Sequence, residues 1–435
     1  MYESVNEELL DFLKESPDAF HAADQIRRIL KQNGFEELAE GNVWNLAKGG
    51  KYFVLRNESS VIAFAIPKTD FQGFMIGAAH SDSPSFKIKE NPEIKKEGYI
   101  TLNVEKYGGM LMSPWFDRPL SVAGRVLVKD GNRIMTKLVN VDRDLVQIVN
   151  LAIHMDRTAN SGHEINVQNE MEPILGLEGS EGSFMKIIAE AAGVKPEDIL
   201  GHDLFLYQRG KGTIWGANHE FLSAGHLDDL QCAFGCLQGF LHAAPENSIP
   251  LLAIFDNEEV GSGTKQGADS TFLEDVVRRI CTLMGKNTED TERARISSFM
   301  VSADNAHAVH PNYASKADPV NRPKINEGIV IKYNANQRYT TDAVSAAVFR
   351  EVCRKAEVPL QEFTNRSDMA GGSTLGNISN SHFSLNTVDI GLPQLAMHSC
   401  WETAGTKDTA YLAEAMQEFF SSSFRDLGGG SWELD

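Results

Sequence analysis

From about residue 217 onward, short apolar runs alternate with amphipathic stretches at helical spacing. SIPLLAIFDN, SSFMVSAD, IVIKYNA, LQEFTNRS and TVDIGLPQLAMH read as strands. GHLDDLQCAFGCLQGFLHAA, STFLEDVVRRICTLMG, TTDAVSAAVFREVCRKA and DTAYLAEAMQEFFSSSF read as helices. Strands that are apolar throughout must be covered on both faces, and the intervening helices are the cover. The pattern therefore calls for an α/β fold with a mainly parallel sheet sandwiched by helices. KYFVLR, VIAFAIP and FMIGAAH, earlier in the chain, have the same texture. Residues 3–33 read as two helices, separated by Ser16-Pro17-Asp18, a break followed by a helix start.

From about residue 91 the texture changes. YITLNVEKYGGM, SVAGRVLVKDGNRIMTKLVNV and HDLFLYQRG read as short strands with Gly and Asp-Gly turns, and VKDGN is a two-residue hairpin signal. A helix is expected near 181–193, after the long polar segment HMDRTANSGHEINVQNEMEPI. At 435 residues the chain exceeds one ordinary domain. The expected division is a discontinuous α/β domain, 1–90 and 216–435, interrupted by a β-rich lobe, 91–215.

The 60 acidic residues outnumber the 41 Lys and Arg, for a net charge of -19, which argues against nucleic acid as a partner. Cys232, Cys236, Cys281, Cys353 and Cys400 form no CxxC pair and read as reduced core residues. The start, MYESVNEELLDFLKESPDAF, is acidic and amphipathic rather than a signal peptide, and no apolar run approaches membrane-spanning length. These features suggest a cytoplasmic protein that has no membrane partner.

Five ligand-type residues stand at or just past apolar runs: His80 in AAHSD, Asp228 in HLDD, Glu259 in DNEEVGS, Asp304 in SADN and His398 in AMHS. A doubly wound sheet gathers its strand carboxyl ends at one crevice, so residues distant in sequence can converge there. Two His, two Asp and one Glu suffice for two zinc-like ions if one carboxylate bridges them, and Asp228 is the expected bridge. The alternative for Asp228 is a helix-start carboxylate. Asp82, two residues beyond His80, is placed to orient that imidazole. Glu258 and Glu259 are adjacent at a strand end, where two like charges need a cation; Glu259 is assigned as ligand and Glu258 as general base. His307 and His310, three apart in a turn-like segment, read as loop polarity. No GxSxG, HExxH or phosphate-loop pattern occurs.

In this order HSDSP, HLDD, DNEEVGS, SADNAH and AMHS resemble the aspartyl aminopeptidase family, the eighteenth family of metallopeptidases. SPDAFHAA, LAIHMDR, NQRYTTDAVS and GLPQLAMHS are also similar to family segments, so the resemblance runs nearly the whole chain. It implies a dinuclear zinc exopeptidase fold with two divalent ions per subunit, zinc first, cobalt or manganese as alternatives. One ion would be held by His80, Asp228 and Asp304, the other by Asp228, Glu259 and His398, with Asp82 orienting His80 and Glu258 as base. It further implies a tetrahedral homododecamer built through the β-rich lobe, in which His154 reaches a neighbouring active site. Lys332 and Tyr339 would contact substrate. Spacing and composition alone leave His154 as a surface residue and Lys332 as a strand residue. HLDD stands where eukaryotic members carry Arg-Leu-Asp-Asn; RSDMAGGSTLG is similar to the family's loop without being identical; and Glu402 follows His398 at the spacing of a family Glu. The expected function is release of amino-terminal residues from peptides, with Asp or Glu favoured by many members and apolar residues by others. Rival readings are an N-acyl amino acid amidohydrolase and a non-catalytic scaffold.

Overall fold

Nine strands form the central sheet of the computed structural model, which describes residues 2–435. Met1, the first residue of the acidic start, lies outside them. The strand order is Glu36–Leu38, Lys51–Arg56, Ser60–Ala65, Ser248–Phe255, Gly73–His80, Phe299–Ala303, Asn386–Gly391, Ile329–Tyr333 and Leu360–Thr364. Five of the neighbouring pairs are parallel and three antiparallel. The fold is α/β with a mainly parallel sheet, as the alternation requires.

The side chains of a strand point alternately to the two faces, and both faces are dry. Phe74, Ile76 and Ala78 join one core, covered by Phe272, Val276 and Ile280 of the helix Phe272–Leu283. Met75 and Ala79 join the other, beneath Leu230 of Leu227–His242, Phe349 of Ala343–Lys355 and Phe419 of Asp408–Ser421. All eight residues of Gly73–His80 are buried, so this strand has no solvent face. The two expected amino-terminal helices are present as Tyr2–Lys14 and Ala19–Gln32. The helix Thr288–Ile296 was not expected; only Ala294 of it is buried, so it carries no apolar stripe to betray it.

A second, antiparallel sheet runs in the order Arg133–Asn140, Ser121–Asp130, Ile199–Tyr207, Ser85–Lys96, Tyr99–Tyr107 and Ile174–Leu177. It has its own core around Phe86, Trp115, Val122, Phe184 and Leu204. The Asp-Gly hairpin is present, with Asp130 paired to Arg133 across Gly131 at φ 62°. The expected helix is Ser183–Ala192. Only residues 81–84 separate the end of Gly73–His80 from the start of Ser85–Lys96, so the chain passes from one sheet into the other at His80.

A third sheet, of five strands, was not expected: Thr213–Trp215, Phe221–Ala224, Glu402–Gly405, Pro393–Leu395 and Ala306–His307. TVDIGLPQLAMH, read as one strand, is split between two sheets at Leu392. The split follows from Gly391, where a Cβ would lie 2.0 Å from the Asp304 carbonyl oxygen, and from the proline that follows at 393. Among the described residues no helix is long and apolar enough to cross a membrane. All five cysteines are buried and free.

The Ser-Pro-Asp break does more than start a helix. Asp18 caps Ala19–Gln32 by accepting from the backbone N–H of Phe20 (2.9 Å) and of His21 (3.1 Å), and its other oxygen holds His21 Nδ1 at 2.6 Å. Burial works against a charged imidazole here, but the Asp18 carboxylate, with Asp24 behind it, outweighs burial and raises the His21 pKa above 6.5. The folded chain thus binds this proton more tightly than the unfolded one. The pair's contribution is complete below the unfolded value and is lost as pH climbs through the raised folded value. His21→Gln is expected to cost on the order of 1–2 kcal/mol at about pH 6. The difference in Tm from wild type should shrink steadily toward alkaline pH; a gap that does not vary with pH would rule this account out.

Candidate metal centre

The five ligand-type residues converge. His80 ends its strand, Asp304 directly follows Phe299–Ala303, and Glu258 and Glu259 form a single turn just past Ser248–Phe255. These three come from adjacent parallel strands, so their positions are set by the sheet register. Asp228 lies at the start of Leu227–His242 but has non-helical φ/ψ of -85° and 106°, and its peptide bond to Asp229 is cis. His398 departs from the expected scheme. It follows Pro393–Leu395 of the five-stranded sheet and approaches the crevice from outside the central one.

Asp228 is the pivot of this geometry. Its Oδ1 faces His80 Nε2 at 3.7 Å and its Oδ2 faces His398 Nε2 at 3.3 Å. His398 Nε2 is also 3.3 Å from Glu259 Oε1. Ligand atoms of His80, Asp228, Asp229 and Asp304 lie within 4.8 Å of one another, and so do those of Asp228, Glu259 and His398. A further grouping is His80, Glu258 and Glu259. Asp229 was not among the expected residues. Its Oδ2 accepts from the His80 backbone N–H at 3.0 Å, which is a structural engagement.

Asp82 is placed beside His80, but the geometry differs from a simple carboxylate–imidazole pair. His80 Nδ1 is 3.0 Å from the Asp82 backbone carbonyl oxygen and 3.4 Å from Oδ1. The carboxylate instead accepts from the backbone N–H groups of Glu258 (3.1 Å) and Glu259 (3.2 Å) and from the Tyr107 hydroxyl (2.7 Å). With Nδ1 against the Asp82 carbonyl, His80 Nε2 is turned toward Asp228. Glu402 plays a matching part on the other side. One of its oxygens accepts from the Asp228 N–H at 3.0 Å and the other from the His398 N–H at 2.7 Å, so a single buried carboxylate spaces these two segments. Sequence spacing had marked Glu402 only by resemblance.

This concentration of acid distorts proton affinities. Burial first, then the Asp228 charge, raises Glu259 well above the usual carboxylate range. Burial pushes Glu258 up to about 8, against the pull of His80. For His80 burial acts downward, yet Asp229, Asp82 and Glu258 together hold it well above 6.5. Asp228 moves the other way: burial opposes its charge, but His398 and His80 outweigh burial and keep it low.

A cavity of about 350 Å³ opens over these groups. Its walls include Lys332, Tyr339, His307, Phe363 and residues 372–374. Lys332 is 3 % exposed, with Nζ 3.5 Å from Asp304 Oδ1 and 5.5 Å from the Tyr339 ring centroid. Two wall segments share one anchor: Asp389 Oδ2 accepts from the N–H and hydroxyl of Thr340, each at 2.6 Å, and Oδ1 from the Thr374 hydroxyl at 2.6 Å. His307, read as loop polarity, belongs to the wall, whereas His310 caps a turn through the Asn312 N–H. His154 is not in the wall; it is exposed between Arg133–Asn140 and Val167–Glu170. Its spacing from other motifs carried no signal for a site.

The model of the family described as aminopeptidase I zinc metalloprotease (M18) matches residues 12–420. A probable M18 family aminopeptidase 2 of Clostridium acetobutylicum is 50% identical over 422 residues, covering 95% of this chain and 98% of the relative. Among solved structures, the cryo-EM structure of the Ape4 and Nbr1 complex superposes with a TM-score of 0.94 at 37% identity, covering 96% of this chain and 86% of that one. The mApe1 dodecamer of S. cerevisiae superposes with a TM-score of 0.85 at 28% identity, covering 96% and 97%.

The donor set suits zinc. Asp228 Oδ1 and Glu259 Oε1 are buried and have no hydrogen-bond partner among the described residues. Buried carboxylate oxygens without donors are costly, and a divalent cation is the natural partner for them. Imidazole and carboxylate are both zinc ligands. Zinc should therefore bind the folded chain far better than the unfolded one. Chelated protein titrated with zinc is expected to gain about 2.7 kcal/mol of stability at one hundred times the Kd. The rise in Tm should be lost in Asp228→Asn; a rise of equal size in that variant would exclude this site.

Proposed function

The chain belongs to the M18 family of zinc metalloprotease aminopeptidases, and on that premise we propose that it is a dinuclear enzyme releasing amino-terminal residues from peptides. In this reading His80, Asp228 and Asp304 hold one ion and Asp228, Glu259 and His398 the other. The observation that carries it is Asp228 itself, whose two buried oxygens face two histidines from different sheets. Two zinc ions bound there would supply Lewis acidity to the scissile carbonyl and to the attacking water.

The chain's own residues do the rest. Glu258 is half-buried in the cavity wall, beside the groups that would hold the ions. It accepts a proton from water as the new C–O bond forms, and returns it to the departing amine as the C–N bond breaks. Asp82 positions His80 through its carbonyl and the Glu258–Glu259 turn through its carboxylate. The carboxylates at the cavity floor suit a free amino terminus, which makes the enzyme an exopeptidase. Lys332 in the wall, stacked beside Tyr339, supports a preference for amino-terminal Asp or Glu.

We extend the reading to assembly. The yeast relative named above is a dodecamer, and the β-rich segment 91–215 of this chain would supply the contacts for a similar one. Leu151, Ile153 and Met155 flank His154 and are 60%, 43% and 75% exposed, an apolar stretch suited to a neighbouring subunit. His154 would then reach the neighbour's cavity. Buried, unpaired thiols agree with a cytoplasmic setting.

Glu258→Gln is expected to lower kcat by about 10²–10⁴ while zinc stoichiometry is retained. Near-normal turnover would remove Glu258 from the base role. On a panel of amino-terminal residues carrying a chromogenic leaving group, zinc-dependent release of Asp and Glu should dominate. Preferential release of Leu or Met would overturn the acidic preference and leave the chemistry in place. Hydrolysis of N-acylated substrates alone would overturn the exopeptidase reading.

A further inference from the structure

One short segment leading out of the second sheet touches His398 directly and reaches His80 through Asp82. The strand Tyr99–Tyr107 ends beside Asp82, and residues 108–111 then pass the Glu258–Glu259 turn and His398. At the start of this run the Tyr107 hydroxyl accepts from Asn257 Nδ2 at 2.9 Å. Its own proton is then free to go to Asp82 Oδ2, 2.7 Å away. The ring is held from the second sheet, edge-on to Phe205 with centroids 5.5 Å apart. Asp82 in turn gives its carbonyl oxygen to His80 Nδ1. Two residues further, the Gly109 carbonyl oxygen receives His398 Nδ1 at 2.5 Å, and the Leu111 N–H donates to the His398 carbonyl at 3.0 Å. Each imidazole thus sets Nδ1 against a backbone carbonyl and turns Nε2 toward Asp228. The run also passes close to the acidic turn. Gly108 has φ 76°, and a Cβ there would lie 3.2 Å from Glu259 Cβ and 3.4 Å from the Glu259 carbonyl oxygen.

We infer that residues 107–111 are the device by which the second sheet holds the metal centre in register, and that Tyr107 is a positioning residue for zinc binding. The physical argument is one of degrees of freedom. His80 and Asp304 end strands of the central sheet and inherit its rigidity. His398 does not: it lies in a loop, at φ 66°, with 31% of its side chain exposed. Gly109, Leu111 and Glu402 hold its backbone and Nδ1 by hydrogen bonds, while Nε2 faces Asp228 and Glu259, each at 3.3 Å. Asp82 lies in the four-residue passage between sheets, and the Tyr107 hydroxyl is the side-chain donor nearest its carboxylate, at 2.7 Å against 3.4 Å for His80 Nδ1. Groups that orient a ligating imidazole typically account for ten- to hundredfold in metal affinity. A shift of the second sheet against the central one would move Asp82 and His398 together, because both are tied to the same five residues.

The inference rests on the reading of His80 and His398 as ligands, and the test separates the two. Zinc affinity is measured by chelator competition on the full chain in its native assembly, for wild type, His80→Ala, His398→Ala, Tyr107→Phe, Gly108→Ala and Tyr99→Phe. Tyr99 lies in the same strand as Tyr107 but is 44% exposed, and its variant is expected to bind zinc as wild type does. Tyr107→Phe keeps the ring and loses only the hydroxyl, and should weaken zinc binding about ten- to hundredfold. At saturating zinc it should show a lower kcat and an unchanged KM. Gly108→Ala crowds Glu259 without removing a hydrogen-bonding group and should also weaken zinc binding; it decides the matter if the phenylalanine variant does not fold. If the two histidine variants lose zinc while Tyr107→Phe and Gly108→Ala bind it within twofold of wild type, the inference is overturned. If the histidine variants bind zinc normally, the ligand reading itself has failed.

Discussion

The structure is organised around the cost of burying several carboxylates together. Asp228, Glu259 and Asp304 meet near the carboxyl edge of an apolar sheet, and two of their oxygens have no donor among the described residues. Like charges at this separation in a low-dielectric setting are strongly unfavourable unless cations or protons intervene. Burial raises Glu258 and Glu259, and neighbouring carboxylates raise His80. The same arrangement that is expensive for a bare protein offers a donor set suited to divalent cations. The proposed enzyme uses this: its ligands are held in place by surrounding hydrogen bonds before any ion arrives.

Those hydrogen bonds come from three sheets. The central sheet sets His80, Asp304 and the Glu258–Glu259 turn through strand register. The five-stranded sheet delivers His398 and, through Glu402, fixes its distance from Asp228. The second sheet contributes the segment from Tyr107 to Leu111. The chain's abrupt passage from the central sheet into the second, over residues 81–84, places Asp82 at the junction. A carboxylate there can take donors from both sides. Asp389 does similar work for the cavity, tying the segment that carries Tyr339 to the one that carries residues 372–374.

Most of the central fold was legible because its signals are local. Apolar runs such as FMIGAAH and SIPLLAIF are buried along their whole length and became strands, and Asp130-Gly131 became the hairpin turn. Elements without such signals were missed. Thr288–Ile296 is a polar helix held by its cap at Asn287 and one buried alanine. The five-stranded sheet consists of strands two to four residues long, too short to show a period. The residues that converge at the candidate site were legible for a different reason: a polar residue just past an apolar strand is well placed to face a crevice. That logic reached His80, Glu258, Glu259 and Asp304. It reached His398 too, although the strand before it lies in another sheet. It missed His307, whose strand is two residues long, and Asp229, whose neighbour Asp228 looked equally suited to the same work.

The sequence by itself determined which residue types stand at strand ends, because hydrophobic periodicity fixes where strands stop and so which side chains emerge from the sheet. It also carried the order of motifs by which the family is recognisable. Only the tertiary structure decided what those side chains touch. That Asp82 takes the Tyr107 hydroxyl, that Glu402 ties Asp228 to His398, and that Gly109 reaches His398 are long-range facts. They depend on contacts between residues 25 to 289 positions apart, and no local pattern encodes a distance across such a span.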